Sequence, residues 1–327
     1  MKILLIGGSG YIGTVISNYF VNKSSNIHIF DNFIYDNREH LNTFYKNLNI
    51  SLYSNNFSNL IIENNYDLIV ILSGLVGDPI TKKYPSLSKL HNNYEIKNYL
   101  NFINSNYKKK LVFVSTCSNY GLTDGDTLLD ENSVLNPLSL YAKDKVAIEN
   151  YLLENKWNFH FTILRFATAF GHSPRMRFDL TVNEFIKLFY FKKSFEVYDS
   201  DTWRPYCHTT DFARAIEAIL FADKNKISKQ IFNVGSNENN FTKRAIVEKI
   251  NEFFESDLVT YRERGMDQRN YKVNFSKIND ILNFKPQVSL TVGVKEIIKN
   301  LKSNLYKNIH NEYLYGNHFI NNDQNQT

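Results

Sequence analysis

The stretch Lys2-Ile3-Leu4-Leu5-Ile6-Gly7-Gly8-Ser9-Gly10-Tyr11-Ile12-Gly13 joins a short apolar run to a glycine-rich turn. The apolar run, which ends at Ile6, is typical of a parallel strand buried on both faces. After the turn, apolar residues recur at helical spacing, so a helix begins inside the turn. They are Ile12, Val15, Ile16, Tyr19 and Phe20. A strand, a glycine turn and a helix N-terminus form a pyrophosphate site, because glycine lets the backbone approach the phosphates and the helix end presents unpaired N–H groups.

A second apolar run, residues 27–30, ends in Asp31, which follows Gly13 by eighteen residues. An acidic residue at the tip of the second strand hydrogen-bonds the ribose hydroxyls of a dinucleotide and repels a 2′-phosphate. With the glycine turn upstream, Asp31 therefore predicts NAD as the cofactor in preference to NADP. Without that turn, Asp31 and Asn32 would indicate only the start of a turn.

A tyrosine and a lysine four residues apart, Tyr141 and Lys145, lie in a segment, residues 139–153, that is predicted to be an amphipathic helix. At this spacing the two side chains share one helical face. A tyrosine with an ordinary pKa of roughly 10 is a poor base at neutral pH, but a neighbouring cation favours the phenolate, which can take a proton from an alcohol. A lysine-rich helix with a packed tyrosine can show the same spacing by chance. The pair indicates catalysis only because the same chain also has a predicted dinucleotide site. Together they predict alcohol oxidation.

In the rest of the chain, predicted strands alternate with predicted helices, and two segments interrupt this alternation. Short apolar runs predict further strands at residues 50–53, 68–72, 111–115, 161–166 and 231–234, with helices between most of them. This alternation predicts the α/β class, with a Rossmann-type doubly wound parallel sheet.

The interruptions predict how the chain is divided. We expect an NAD-binding domain at residues 1–170, completed by about 197–236. A smaller, discontinuous substrate-binding region at residues 171–196 and 237–305 would cover the carboxyl ends of the strands, where such sheets bind ligands. Residues 306–327 are rich in Asn and His with few periodic apolar positions. They predict a poorly ordered tail.

Composition excludes several classes of function. The 327 residues are 43% hydrophobic, which is ordinary for a globular protein. No apolar run reaches the ~20 residues of a membrane span, and the N-terminus enters a strand where a signal peptide would need a charged start, so we expect a cytoplasmic protein with no membrane partner. Cys117 and Cys207 predict neither a disulfide scaffold nor a zinc site, and the eight histidines lack ligand spacing, so no metal is expected. The dispersed net charge of +5 predicts no nucleic-acid partner.

Motifs along most of the chain resemble the NAD-dependent nucleotide-sugar epimerase and dehydratase family of the extended short-chain dehydrogenases/reductases. The glycine turn, Asp31, Leu72-Ser73-Gly74, Ser115-Thr116 and the Tyr141/Lys145 pair occur in the order of the family. The resemblance continues through Leu164-Arg165-Phe166, Trp203-Arg204-Pro205-Tyr206-Cys207-His208 and Phe232-Asn233-Val234-Gly235. It covers roughly residues 1–305, and as a set the motifs are specific for the family but not for one substrate.

The resemblance implies site residues and partners. Thr116, Tyr141 and Lys145 would be catalytic, with NAD as the cofactor and a nucleotide-diphosphate sugar as the substrate. The residues expected at the cofactor are Gly7, Gly10, Tyr11, Ile12, Gly13, Asp31, Asn32, Asn56, Phe57, Leu72, Ser73, Gly74, Asn93, Ser115, Tyr141 and Lys145. Those expected at the substrate are Thr168, Arg175, Arg177, Asn183, Arg204 and Arg269. Arginine binds a diphosphate through paired N–H groups, although an isolated arginine is more often a surface residue. In the family the helix of Tyr141 packs in an intersubunit four-helix bundle, so a homodimer is expected.

The chain also departs from the family. In its 4,6-dehydratases an Asp-Glu pair follows the catalytic threonine and eliminates water, whereas this chain has Cys117 and Ser118 after Thr116. At Thr168 many members have an asparagine that contacts the substrate, and at Asn56 many have an aspartate that recognises adenine. Water elimination would therefore lack its catalysts, and the details of substrate contact differ at Thr168.

These observations lead to an expected reaction. Tyr141, as a phenolate, would remove the proton of a sugar hydroxyl while Thr116 hydrogen-bonds the same oxygen, and a hydride would pass from C4 to NAD. The resulting 4-keto sugar leads either to a 4-epimer or to a released ketone, and the sequence leaves a 4-epimerase and a 4-dehydrogenase of glycan or polysaccharide precursor synthesis both open. The alternatives are a 4,6-dehydratase and a non-catalytic NAD-sensing regulator, which would be expected to lack Tyr141 or Lys145.

Overall fold

A parallel sheet of seven strands forms the centre of the computed structural model, which describes residues 1–35, 37–48, 50–54, 65–123, 127–263 and 269–320. The strands in this described part are β1 (Lys2–Ile6), β2 (Asn26–Asp31), β3 (Ser51–Ser54), β4 (Leu68–Ile71), β5 (Lys110–Thr116), β6 (Leu128–Leu129), β7 (His160–Phe166), β8 (Thr168–Phe170), β9 (Phe195–Tyr198), β10 (Trp203–His208), β11 (Gln230–Val234), β12 (Asn240–Thr242), β13 (Val259–Arg262) and β14 (Lys272–Val273). The large sheet has the order β11-β7-β5-β4-β1-β2-β3 with parallel neighbours throughout. The order runs outward in both directions from β1 and β4, so the sheet is doubly wound and the predicted fold class is confirmed.

Helices connect the strands and cover both faces of the sheet. The α-helices of the described residues are α1 (Tyr11–Val21), α2 (Arg38–Leu48), α3 (Asp78–Lys83), α4 (Pro85–Lys89), α5 (Glu95–Asn104), α6 (Leu140–Glu154), α7 (Thr181–Tyr190), α8 (Thr209–Phe221), α9 (Lys224–Ile227), α10 (Lys243–Asn251), α11 (Ser276–Leu282), α12 (Leu290–Lys302) and α13 (Glu312–Tyr315). A π-helical turn, Leu90–Tyr94, precedes α5, and short 3₁₀ turns occupy Cys117–Tyr120 and Asn237–Asn239. Among these described helices, none is long and apolar enough to cross a bilayer.

Strand β1 is buried on both faces, as its continuous apolar run predicted. Ile3 and Leu5 pack into the cluster beneath α1 and α8, whereas Leu4 and Ile6 pack into the cluster beneath α5 and α6. Each such side chain contributes about 1.5–3 kcal/mol relative to an exposed one. The five further runs predicted as strands coincide with β3, β4, β5, β7 and β11.

A second hydrophobic cluster lies apart from the sheet and is formed largely by the two segments expected to bind the substrate. Its members include Met176, Phe185, Ile246 and Ile297. Strand β10, which falls in the part expected to complete the nucleotide domain, pairs instead with β8 and β12 in a small separate sheet. Residues 197–236 therefore give the large sheet only β11.

Residues 306–320 are packed, which differs from the poorly ordered tail expected from the sequence, and residues 321–327 lie outside the described residues. Tyr306 and Tyr315 are buried in the second cluster, and Ile320 packs with Ile34 and Leu75 near the carboxyl ends of β2 and β4. These side chains contact different parts of the protein, so their spacing follows no helical or strand period. The expectation is therefore wrong for residues 306–320, because neither composition nor periodicity reports contacts with distant parts of the chain.

A buried ion pair fixes the helix that carries the predicted catalytic residues. On α6, the Glu149 carboxylate accepts from the Arg165 guanidinium of β7, with Nη2 to Oε2 at 2.7 Å and Nε to Oε2 at 3.1 Å. Both residues are almost completely buried. Ser115 Oγ and Asn119 Nδ2 also donate to Glu149 Oε1, the latter at 2.8 Å. The network therefore ties α6 to β7 and to the end of β5.

Arg165→Met should lower the free energy of unfolding by about 3–5 kcal/mol, because it leaves the Glu149 carboxylate buried without its cation. Urea unfolding, followed by the fluorescence of Trp157 and Trp203, measures this loss. Arg244→Met is the matched control, since it removes the partner of the exposed Asp201 and should change the unfolding midpoint little. Equal midpoints for the two variants would contradict the role given to the buried pair.

Candidate active site

The glycine turn lies at the carboxyl end of β1 and can take a bound pyrophosphate. Gly7 has φ +77°, and a Cβ there would lie 2.6 Å from the Ser73 backbone. At Gly13 a Cβ would lie 2.5 Å from the Gly8 carbonyl oxygen. Gly10 precedes α1 and offers no side chain to cap it, so the first N–H groups of the helix are left for an anion.

Asp31, at the end of β2, is held against this turn. Its Oδ2 accepts from the Ser9 backbone N–H at 2.8 Å, and its Oδ1 accepts from the Phe33 N–H at 2.9 Å. Burial raises the pKa of Asp31, and the two N–H donors oppose that rise. The carboxylate lines the cavity beside the turn, where ribose hydroxyls of a dinucleotide can donate to it.

Tyr141 and Lys145 lie on the first turns of α6, whose start Ser139 caps by accepting from the Ala142 N–H at 3.2 Å. Lys145 Nζ donates to the Val114 carbonyl of β5 at 2.9 Å and lies 5.9 Å from the centre of the Tyr141 ring. Burial lowers the pKa of Lys145 to about 8. Burial also raises the pKa of Tyr141, and the Asp78 charge adds to the rise. In the protein alone Tyr141 is therefore a neutral phenol, and a further cation beside it would favour the phenolate.

Thr116 ends β5 and lies in the lining of the same cavity. Its Oγ1 accepts from the Ser118 N–H at 3.1 Å, which leaves the hydroxyl proton to be donated to a ligand oxygen. Cys117 points the other way: its buried thiol donates to the Arg165 carbonyl at 3.3 Å, and burial raises its pKa well above the usual value. The thiol therefore does not replace the acid of the dehydratases.

Two arginines that were predicted to bind the substrate, Arg204 and Arg269, line the same cavity as the predicted catalytic residues. Arg269 Nη1 lies 3.0 Å from Asp78 Oδ2 and 3.4 Å from Ser118 Oγ. Arg204 donates to the Arg269 carbonyl and to the Trp203 carbonyl, with its guanidinium over the ring of Tyr271. Arg204 thus holds the segment that carries Arg269.

Two further predicted arginines, Arg175 and Arg177, are buried in the wall of the cavity. Arg177 donates to both oxygens of Asp179, at 2.9 and 2.6 Å. Arg175 donates to Asn317 Oδ1 at 2.6 Å and to the Gly316 carbonyl at 2.9 Å, and burial lowers its pKa to about 10. The C-terminal segment is therefore part of the wall of the site.

One cavity of about 1060 Å³ brings these groups together. The predicted residues that line it are Gly7, Gly10, Tyr11, Ile12, Gly13, Asp31, Asn32, Leu72, Ser73, Gly74, Ser115, Thr116, Tyr141, Lys145, Thr168, Arg175, Arg177, Arg204 and Arg269. Its volume is at the upper end of the range for small-molecule sites, which suits a dinucleotide together with a second ligand.

Four predicted residues are placed differently or fall outside the described residues. Asn183 is fully buried behind the cavity, where its Nδ2 donates to the Tyr11 hydroxyl at 3.0 Å and to the Arg177 carbonyl at 2.9 Å. It holds neighbouring residues in place and is not in the lining. Asn93 likewise is not among the described lining residues. Asn56 and Phe57 lie outside the described residues.

Sequence reasoning missed several residues that line the cavity: Tyr35, Asp78, Asn317 and His318. Asp78 had a usable signal, because Gly77 and Pro79 flank it just after β4, at the sheet edge where ligands bind. Asn317 and His318 had none, since they reach the cavity only through the packing of the C-terminal segment.

Comparison with known proteins places this geometry in a family. The family model described as the NAD dependent epimerase/dehydratase family matches residues 3–235. The UDP-glucuronate 4-epimerase of Thermodesulfobacterium geofontis is 26% identical over 204 residues, covering 60% of this chain and 60% of that protein. The dTDP-D-glucose 4,6-dehydratase of Dictyostelium discoideum is 26% identical over 256 residues, covering 72% of this chain and 58% of that protein. This chain thus spans about three fifths of the length of both relatives.

The fold is shared with solved structures. The crystal structure of UDP-glucuronic acid 4-epimerase from Bacillus cereus, in complex with UDP-glucuronic acid and NAD, superposes with a TM-score of 0.82 at 21% identity and covers 94% of this chain and 100% of that one. The family match, which spans more than half of this chain, confirms the resemblance drawn from the motifs. The chain belongs to the NAD-dependent epimerase/dehydratase family.

Proposed function

We propose that this enzyme oxidises C4 of a nucleotide-diphosphate sugar to a 4-keto sugar, as a 4-epimerase or a 4-dehydrogenase. The observation that carries the proposal is that Tyr141 and Thr116 line the same cavity as the glycine turn and Asp31. A sugar hydroxyl within reach of Tyr141 and Thr116 therefore lies in the cavity that takes NAD. Two of the relatives named above are a UDP-glucuronate 4-epimerase and a dTDP-D-glucose 4,6-dehydratase, and these names support this substrate class.

The chain's own residues provide the proton route. Bound NAD supplies the positively charged ring that accepts the hydride from the sugar carbon. Lys145, with a pKa of about 8, keeps most of its proton at neutral pH. Its charge favours the Tyr141 phenolate, which takes the proton of the sugar hydroxyl. Thr116 donates a hydrogen bond to the same oxygen and so helps to orient it.

The residues after Thr116 argue against water elimination. Elimination needs an acid for the leaving hydroxyl and a base for the neighbouring carbon. Here the Cys117 thiol is buried away from the cavity, and Ser118 offers only a hydroxyl, which is a poor acid or base compared with a carboxylate. The reaction is therefore expected to stop at oxidation and reduction at C4, and the 4,6-dehydratase reading is the weaker one. The cytoplasmic location and the role in glycan or polysaccharide precursor synthesis stay predictions.

The cavity also has the charge that two anionic ligands need. Arg175, Arg177, Arg204 and Arg269 all line it. Arginine is suited to diphosphate groups because its planar donors match the phosphate oxygens. The substrate is proposed to place its diphosphate at the Arg204 and Arg269 side and its sugar between Tyr141 and Arg269.

A homodimer is proposed through the outer face of α5 and α6. These helices pack side by side, and the Tyr151 hydroxyl donates to Asn101 Oδ1 at 2.7 Å across them. Large apolar side chains are exposed on these helices and on the turn before α5: Tyr94 at 51%, Phe102 at 53% and Leu153 at 41%. A second copy of the same face would cover them, as the family resemblance implies.

Product mass tests the reaction. Thermal shift against a panel of UDP-, dTDP-, GDP- and CDP-sugars identifies the substrate, because a bound ligand stabilises the protein. Mass spectrometry of the product should then show an unchanged mass for a 4-epimer or the loss of two hydrogens for a released 4-ketone. A product that has lost water would contradict the proposed reaction.

Tyr141→Phe should leave NAD binding nearly unchanged and reduce turnover about 10²- to 10⁴-fold, since only the proton-transfer group is removed. Steady-state kinetics with the identified sugar and a separate NAD titration measure the two effects. Tyr151→Phe is the matched control, because it deletes the same atom from the same helix away from the cavity and should keep parental turnover. A Tyr141→Phe enzyme as fast as this control would remove Tyr141 from the mechanism.

Phe102→Glu should shift the protein toward the monomer, since burying an unpaired charge in the proposed interface is unfavourable. Light scattering at micromolar concentration measures the mass. Phe221→Glu is the control, because Phe221 is also an exposed aromatic, at 64%, but lies on α8. A monomeric parent protein would contradict the homodimer.

A further inference from the structure

We propose that Asp78 determines substrate specificity by accepting a hydrogen bond from a hydroxyl of the sugar and by excluding sugars that carry a carboxylate. The inference rests on the proposed function, because it names the class of sugar that the same site takes. It concerns a residue outside the motifs that identify the family.

The backbone presents Asp78 to the catalytic end of the cavity. Gly77 precedes it with φ +117°, a conformation that other residues rarely adopt, and Pro79 follows it at the start of α3. Helix α3 packs against α6, the helix of Tyr141. The local chain is therefore constrained to carry a carboxylate into the space opposite Tyr141.

The two oxygens of this carboxylate have different surroundings. Oδ2 lies 3.0 Å from Arg269 Nη1, so one side of the carboxylate is anchored. Oδ1 is inaccessible to solvent and has no donor among the described residues. The Asp78 side chain as a whole is 31% exposed and lines the cavity, so the accessible part of the carboxylate is on the Oδ2 side. A sugar hydroxyl entering the cavity would donate there, beside Arg269.

The anchor of Asp78 is also connected to the catalytic residues. Arg269, which holds Oδ2, lies 3.4 Å from the Ser118 hydroxyl, two residues beyond Thr116. The Asp78 charge also contributes to raising the pKa of Tyr141, after burial, so it acts on the phenol that takes the proton. Asp78 therefore lies where it can contact the sugar and not only the nucleotide.

The local charges favour a neutral sugar. Arg269 faces Asp78, and Arg177 is bound by both oxygens of Asp179, so each of these cations already has a carboxylate beside it. Lys82 lines the cavity as well, but it is exposed and its charge is screened by solvent. A uronic acid carboxylate near Asp78 would have to compete with Asp78 for Arg269 and would lie beside the Asp78 oxygens, whereas a hydroxymethyl group can donate to Oδ2.

Binding of matched sugars tests the inference. The NAD-loaded enzyme is titrated with UDP-glucose and UDP-glucuronic acid, which differ only in whether C6 is a hydroxymethyl group or a carboxylate. The corresponding dTDP-, GDP- and CDP-sugars are titrated in the same way. The neutral sugar should bind at least ~10-fold more tightly than its uronic acid, and Asp78→Asn should reduce this ratio ~10-fold or more, because a hydrogen bond to a charged group is lost and the repulsion disappears. The ratio of kcat/KM for the two sugars should change in the same direction.

Asp201→Asn provides the control. Asp201 also pairs with an arginine, Arg244, with Nε to Oδ1 at 2.9 Å, but lies on the exposed surface away from the cavity. It should leave the ratio unchanged. A parent enzyme that binds the uronic acid as tightly as the neutral sugar would overturn the inference while leaving the proposed function intact, and this measurement needs no folded variant. An unchanged ratio in Asp78→Asn would also overturn it. If none of the four nucleotide pairs binds, the inference fails, whereas the proposed function is decided by the wider panel of nucleotide-sugars.

Discussion

The buried pair of Glu149 and Arg165 is the interaction on which the site depends. It lies beneath the catalytic surface and joins α6, which carries Tyr141 and Lys145, to β7 and to the end of β5. Burying two charges is unfavourable unless their remaining donors and acceptors are satisfied. Ser115 and Asn119 satisfy Glu149 here, so the same hydrogen bonds that hold the pair also fix the end of β5, where Thr116 begins the next turn.

Burial moves the pKa values of Tyr141 and Lys145 apart and keeps the tyrosine protonated. It raises the pKa of Tyr141 and lowers the pKa of Lys145 to about 8. The proton on Tyr141 is therefore held until another positive charge enters the cavity. This arrangement couples proton transfer to occupancy of the cofactor site, because the low-polarity surroundings that raise the tyrosine pKa also strengthen its response to a nearby cation.

Local patterns in the sequence predicted the large sheet, the glycine turn and the Tyr141–Lys145 pair, because each depends on residues close together in the chain. Contacts between residues far apart in the chain could not be predicted from these patterns. Asn183 looked like a substrate ligand, yet the backbone of Gly171 and the Tyr11 hydroxyl use its amide. Asn317 reaches the wall of the cavity from a segment without periodicity, so its part in the site follows from packing alone.

The pairing of β7 with β11 has a consequence for how the chain reaches its fold. Strand β7 ends at Phe166 and its outer neighbour β11 begins at Gln230, so the whole first substrate segment and helices α8 and α9 are synthesised between them. Until Gln230 and the following residues arrive, β7 is an edge strand with unpaired backbone N–H and C=O groups. Contacts between strands this far apart in sequence slow folding and leave such an edge open to pairing with other chains. During synthesis, aggregation is therefore most expected at β7, a strand that is paired on both sides in the finished protein.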